Sequence, residues 1–476
     1  MTRPLQLHRL YSVVFMLLLS FPSLATTYYI SSSGGSDQAS GTSQQTPWQS
    51  LARLQQSRLQ PGDIVLLKRG DVWYEDLVLD KLRGTQSQPI LIADYGSGNK
   101  PRLQPQRASQ VLSLIHAHYV HVKNLHLKAS SGKKAVRIAG DARFVKVTHC
   151  RMEGHPDATS NHGIVYAAIS QGLKPTYPVV EHNEVTFFRE SIIGIGGVNG
   201  GGSVAHNYVH SAVPTDGTDL IRAIGGDFQG LSIAHNHLTG WYDDAIDLFT
   251  GSNVVIEYNR VHDPGLPVLG SGNAIKLGGV TNQVAHAPTS YGNIARYNLV
   301  YNLTTRPKGK LSNGIDTNGG YNATVYGNLI YNVKGNAISI GTAGCRVFNN
   351  TAVSERVALY FNGKSGLTLQ AYNNILSGGR SDAQVEHGGA RISGSHNLLV
   401  HDKALGEYRS QNDRRGNPSF TDPANNRFTL QHNSIAINAG TNMSEYQADC
   451  RGKSVVDQID IGCFEYSDDA SHSDLN

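Results

Sequence analysis

Three carboxylates crowd into five residues near the middle of the chain, Asp243-Asp244-Ala245-Ile246-Asp247. A second segment, Gly272-Asn273-Ala274-Ile275-Lys276-Leu277-Gly278-Gly279, repeats the polar-Ala-Ile pattern and sets a lysine where the first has Asp247. Unpaired carboxylates at this density repel one another and raise some of their pKa values; a bound cation removes that cost. Oxygen ligands without cysteine or a clear histidine partner favour Ca²⁺ over Zn²⁺. A lysine beside such a site suits proton abstraction. The stretch from Trp241 to Gly279 therefore reads as a calcium site facing a catalytic base, on a scaffold that stacks the two segments.

The scaffold is legible as a repeat. An apolar residue, one or two polar residues and then Asn recur at Val122-Lys123-Asn124, Val180-Glu181-His182-Asn183, Val204-Ala205-His206-Asn207, Ile233-Ala234-His235-Asn236 and Ile256-Glu257-Tyr258-Asn259. The series continues through Asn298, Asn328, Asn350, Asn374 and Asn397, and Cys150 holds the same slot. Intervals run mostly from 22 to 30 residues, with one of 39 between Asn259 and Asn298. That period with short strands predicts an all-β chain, a right-handed parallel β-helix or solenoid, its asparagines stacked as a ladder. A propeller would need longer repeats and antiparallel hairpins. The histidines at 182, 206 and 235 read as a stacked surface ladder rather than a metal site.

A second pattern sets the register of another sheet: His162-Gly163-Ile164-Val165, Glu190-Ser191-Ile192-Ile193, Asp219-Leu220-Ile221-Arg222, Asp244-Ala245-Ile246-Asp247, Asn273-Ala274-Ile275-Lys276, Asn313-Gly314-Ile315-Asp316 and Asn336-Ala337-Ile338-Ser339. The third residue of each copy should face the core, the first and fourth outward. In the first column Asp219 then lies one coil from Asp244. In the fourth, Arg222, Asp247, Lys276 and Asp316 follow one another. An alternating-charge ladder on a solvated sheet would look similar, but the acids are concentrated on two coils.

The ends bound the rest. Arg3 and Arg9 before an apolar run, with Ser23-Leu24-Ala25 following, predict a secretory signal peptide over 1–25, too short in its apolar part to span a membrane. This implies a secreted or periplasmic product. Without Arg3 and Arg9 the formal charge falls from +4 to +2, too small to imply nucleic acid or a membrane surface. Residues 26–110 are expected to form an N-terminal cap and first coils, with a capping helix N-capped by Thr46 and opened by Pro47. Residues 111–415 form the helix proper, and 416–476 a C-terminal cap and tail. Cys450 and Cys463 are candidates for a disulfide; Cys150 and Cys345 read as core residues.

The two central motifs resemble those of family 9 polysaccharide lyases, pectate-lyase-type enzymes on a right-handed β-helix. Members carry an aspartate one coil before Asp-Asp-Gly-Phe-Asp, then Gly-Asn-Gly-Phe-Lys-Leu-Gly-Gly. Here Ala-Ile replaces Gly-Phe in both, and the likeness is tight over roughly residues 215–320. The resemblance implies Asp219, Asp243, Asp244 and Asp247 as calcium ligands and Lys276 as the base of a β-elimination on a uronic-acid polymer such as pectate. The expected partner is an acidic polysaccharide, met by a monomer. Arg222 and Asp316, and the loop residues Arg306, Lys308 and Lys310, are candidate substrate contacts. A glycoside hydrolase using two of the aspartates, a uronate epimerase and a non-catalytic carbohydrate-binding protein remain alternatives.

Overall fold

The computed structural model describes residues 25–130, 132–155, 162–167, 175–197, 200–211, 218–225, 228–265, 272–279, 290–303, 311–317, 319–455 and 458–467. Three parallel sheets of 15, 13 and 14 strands run its length, and each strand pairs with its equivalents one coil before and after. This is the parallel β-helix that the repeat predicts. Strands are short because each coil turns at three corners. Many corner residues adopt left-handed backbone, among them His149, His182, His206, His235, Tyr258 and Tyr297, with φ from 53° to 56°. Their rings stack outside the coil at centroid spacings of 4.7 to 5.1 Å.

The residue after each of these corners carries the ladder. Asn183, Asn207, Asn236, Asn259, Asn298, Asn328, Asn350, Asn374 and Asn397 are almost wholly buried. From Asn207 onward each Oδ1 accepts from the amide and side chain of the preceding member; Asn298 Oδ1, for example, takes Asn259 N at 3.0 Å and Asn259 Nδ2 at 3.0 Å. Asn298 Nδ2 in turn satisfies Ile256 O at 3.0 Å. Cys150 ends the ladder, donating its backbone N–H to Asn183 Oδ1 at 2.9 Å. Asn124 is not a member. It pairs in register with His149 rather than Cys150, has a left-handed φ of 61°, and bonds to Asp94.

The 13-stranded sheet carries the second pattern. Ile221, Ile246, Ile275, Ile315 and Ile338 pair in succession and are fully buried. One copy is out of step with the sequence reading. Ser191 rather than Glu190 pairs with Asp219, and Ile193 rather than Ile192 with Ile221. Glu190 takes a left-handed corner with φ 62°, which absorbs the extra residue.

The N-terminal helix is Leu51–Gln55, starting later than predicted, and Ser50 is its cap, accepting from Arg53 N at 3.0 Å. Asp37 fixes the start, accepting from Gln49 N, Ser50 N and Ser50 Oγ. Thr46 is engaged in a turn with Ser40 and Ser43 instead. Leu51 and Leu54 bury the helix over the first coil as expected. At the other end the parallel strands stop at Arg414–Arg415. The chain then folds back on the asparagine edge: Asn349 Nδ2 donates to Asp460 O at 3.1 Å and Asn373 Nδ2 to Thr441 O at 2.8 Å. Cys450 and Cys463 are buried there as free thiols, 3.3 Å apart. Cys150 and Cys345 are core residues.

Replacing Asn298 by Ala leaves the buried Asn259 N–H without its acceptor and removes the side-chain bonds to Asn259 Nδ2 and Ile256 O. An unsatisfied buried polar group costs about 1–3 kcal/mol, so a loss above about 2 kcal/mol is expected, read from the denaturant midpoint.

Candidate active site

The outer face of the 13-stranded sheet holds the candidate residues. Arg222 pairs with Asp247, Asp247 with Lys276, and Lys276 with Asp316, so the fourth column stands as the pattern predicts. Neighbours in it lie about 4.8 Å apart along the stack. The strands Asp219–Ile224, Ile246–Leu248 and Ile275–Lys276 present alternate residues outward while their isoleucines anchor the core. Asp247 and Asp316 face outward yet are covered by their neighbours, at 2% and 7% exposure.

Asp219, Asp243 and Asp244 each offer a carboxylate oxygen within 4.8 Å of the others. Asp219 Oδ1 accepts from Asp244 N at 3.1 Å, and Asp244 Oδ1 from Asn273 N at 2.6 Å and Asn273 Nδ2 at 3.0 Å. The first column thus continues through Asn273 to Asn313, whose Nδ2 reaches Asn273 Oδ1 at 3.2 Å. Asp247 stands outside the three-carboxylate group. Its carboxylate lies 3.5 Å from Arg222 Nε and 3.1 Å from Lys276 Nζ. Arg222 also reaches Asp219 Oδ2 at 3.3 Å.

Lys276 Nζ sits between two acids, 3.1 Å from Asp244 Oδ2 and 3.1 Å from Asp247 Oδ1. The sequence placed Asp247 and Asp316 beside it. Asp244 contributes because the lysine side chain crosses to the first column. Burial alone would lower the ammonium; the Asp244 and Asp247 carboxylates outweigh it and hold Lys276 above its ordinary value. Burial, then the charges of Asp247 and Asp244, raises Asp219 well above the usual carboxylate range, against the pull of Arg222. Burial and Asp244 push Asp247 up to about 6, opposed by Lys276 and Arg222.

Counted as fully ionised, Asp219, Asp243, Asp244 and Asp247 exceed Arg222 and Lys276 by two negative charges. Asp247 Oδ1 is buried without a well-aligned hydrogen bond. This donor set fits one hard divalent cation such as Ca²⁺, in charge and in ligand type.

Sequence reasoning missed Phe249. It follows Asp247 by two residues on the same face, and both cations lie against its ring, Arg222 Cζ at 5.2 Å and Lys276 Nζ at 5.4 Å from the centroid. Room for that ring comes from Gly279, where a Cβ would lie 2.6 Å from Phe249 Cδ2. Period-two alternation places Phe249 there; its cation contacts have no local sequence signal. Asp316 accepts from Asn313 Nδ2 at 3.3 Å. Arg306, Lys308 and Lys310, predicted on the adjoining loop, lie outside the described residues.

No protein-family model matches the chain. A lacto-N-biosidase of Bifidobacterium longum subsp. longum is 40% identical over 81 residues, a match covering 16% of this chain and 5% of that protein. Among solved structures, a complex of XylC with xylose superposes with a TM-score of 0.52 at 9% identity, covering 92% of this chain and 98% of that one. Pectate lyase Pel9A gives 0.49 at 16% identity, over 94% and 98%. A GH136 lacto-N-biosidase from Eubacterium ramulus gives 0.43 at 14%, over 82% and 68%. The XylC likeness is one of fold alone.

The glycines behind the lysine admit no side chain. A Cβ on Gly278 would lie 2.4 Å from Gly320 N and 2.6 Å from the Gly319 carbonyl carbon, both backbone. Gly278→Ala should destabilise the chain by about 1–3 kcal/mol, measured by thermal or denaturant unfolding.

Proposed function

We propose that the chain is an exported, calcium-dependent polysaccharide lyase that cleaves a uronic-acid-containing polymer, pectate-like in its chemistry, by β-elimination. The observation that carries this reading is the position of Lys276 Nζ, 3.1 Å from both Asp244 and Asp247 at the edge of a three-carboxylate cluster. A uronate carboxylate resting at that cluster would bring its C5–H to the amine. Bound there, Ca²⁺ would neutralise the uronate carboxylate and stabilise negative charge developing beside it.

The chain's own residues supply the rest. Asp219, Asp243, Asp244 and Asp247 would hold the cation, and Arg222 and Asp316 border the reacting sugar. Lys276 takes the C5 proton. The C5–H electron pair becomes the C4=C5 double bond, the C4–O bond breaks, and the leaving oxygen takes a proton from water. In the metal-free state Asp244 and Asp247 hold Lys276 as an ammonium. Were Asp244 and Asp247 to hold a cation instead, that hold on Lys276 would weaken and the amine could act as base.

One observation favours a second reading. The raised Asp219, with Asp247 at about 6, resembles the environment of a general acid in a glycosidase, where a carboxyl stays protonated beside an ionised partner. The short match to lacto-N-biosidase points the same way. Such an enzyme would act without calcium and give a saturated product. Export rests on the N-terminal segment; no helix among the described residues is long and apolar enough to cross a membrane.

Lys276→Ala should keep the fold when calcium is present, because the position faces outward and Ile275 holds the core, and it should tighten rather than abolish calcium binding, because a competing cation is removed. Release of ultraviolet-absorbing unsaturated product from polygalacturonate should fall by about 10²–10⁴-fold. Lys276→Arg should not restore it, since arginine keeps its proton. Near-wild-type activity in Lys276→Ala would refute the proposed base. Calorimetry should record Ca²⁺ binding that is lost in Asp244→Ala, and a chelator should abolish turnover; unchanged affinity in that variant rules out the assigned ligands.

A further inference from the structure

Two tyrosines beside this centre have no role in the chemistry above. Tyr291 and Tyr321 are 52% and 43% exposed. They belong to a separate two-stranded ladder, Ser290–Tyr291 with Gly320–Tyr321, in which the two tyrosines are register partners. Partners in parallel strands project to the same side, about 4.8 Å apart. Among the described residues no other two exposed large hydrophobic side chains are paired in this way. Single exposed tyrosines are ordinary; adjacent ones form a patch that calls for an occupant.

The ladder is fixed to the strands of that centre by one side-chain hydrogen bond and one close backbone approach. Ser290, just before Tyr291, donates its hydroxyl to Leu248 O at 3.3 Å, and Leu248 follows Asp247. Gly320, just before Tyr321, packs so closely on Leu277 that a Cβ would lie 2.0 Å from Leu277 O, and Leu277 follows Lys276. Each tyrosine is therefore tied to the residue after one member of the Asp247–Lys276 pair. Tyr291 O and Tyr321 O accept from Asn253 N and Gly292 N at 2.9 and 3.0 Å, which holds the ladder in the coil while the rings stay outside.

We propose that Tyr291 and Tyr321 form a saccharide-stacking subsite flanking the acidic centre. This deepens the reading of that centre as acting on a polymeric sugar, and rests on it. The carboxylates and cations address the charged edge of one sugar unit. A pyranose ring also has an apolar C–H face, which water solvates poorly and which an aromatic ring covers well. Tyrosine adds a hydroxyl for the sugar's rim and loses little conformational entropy when it binds. The occupant is thus a neighbouring unit of the same chain, held by stacking. The charged centre should give salt-dependent affinity and the tyrosine pair a salt-insensitive share.

The test uses the full chain carrying Lys276→Ala, which leaves polymer uncut, and affinity electrophoresis through gels containing polygalacturonate, alginate, xylan or no polymer. The parent is expected to be retarded by at least one polymer. Adding Tyr291→Ala and Tyr321→Ala should weaken that retention about ten-fold, equally at low and high salt. Phe at both positions should restore most of it, an outcome that a purely structural role of the ladder does not predict. With Lys276 present, the double alanine variant should raise KM by a similar factor while kcat changes far less. The proposal is overturned if no polymer retards the parent, if the double variant binds as tightly as its parent, or if phenylalanine fails to rescue. Failure of the lyase reading is separately visible. In that case the protein with Lys276 present releases no unsaturated product, whatever the tyrosines do.

Discussion

Register along the stack is the constraint on which the rest depends. Each coil closes independently, so nothing local prevents one from slipping by a residue relative to the next. A slip of one would carry Asp247 and Lys276 into the core and Ile246 and Ile275 into solvent. The asparagine ladder opposes that slip, because on the site's coils each Oδ1 binds both the backbone and the side chain of its neighbour. The amides are almost wholly buried, so their hydrogen bonds face no competition from water. Three such members, Asn236, Asn259 and Asn298, sit on the coils that carry Asp219, Asp247 and Lys276. The candidate-site columns are in this sense projected from the opposite corner of the coil.

Given that register, electrostatics follow. A buried cluster of like charges is unstable on its own, and the protein meets the problem with its own side chains. It raises Asp219 and Asp247, and it draws Arg222 and Lys276 into the gap. Phe249 offers both cations a face to rest on without adding charge. The arrangement is stable yet poised, since the groups that hold the lysine's proton are the ones a divalent cation would claim.

Much of this was legible in the sequence because the repeat is one-dimensional. Once a period and an inward isoleucine are recognised, aligning copies places residues from separate strands side by side, as with Arg222, Asp247, Lys276 and Asp316. The misreadings occur where a coil absorbs an extra residue at a left-handed corner, as at Glu190, or where a polar residue imitates the ladder from the neighbouring slot, as at Asn124. Pattern alone does not register such an insertion. The helix start was misplaced for a different reason: Asp37, distant in sequence, binds the amides that a local cap would have served. Side-chain reach was the third gap. Lys276 crosses from its own column to Asp244, a diagonal contact set by χ angles and the Phe249 ring rather than by spacing.

Elimination and hydrolysis differ in the fate of water, and this separates the two chemistries the carboxylates can support. Polygalacturonate digested in heavy-oxygen water and examined by mass spectrometry gives the most direct reading. The account predicts fragments with an unsaturated non-reducing end, each product pair lacking the water that hydrolysis would add, and no heavy oxygen gained by bond cleavage beyond slow exchange at the reducing end. Saturated fragments carrying one heavy oxygen per cleaved bond would contradict it and make the aspartates an acid–base pair instead.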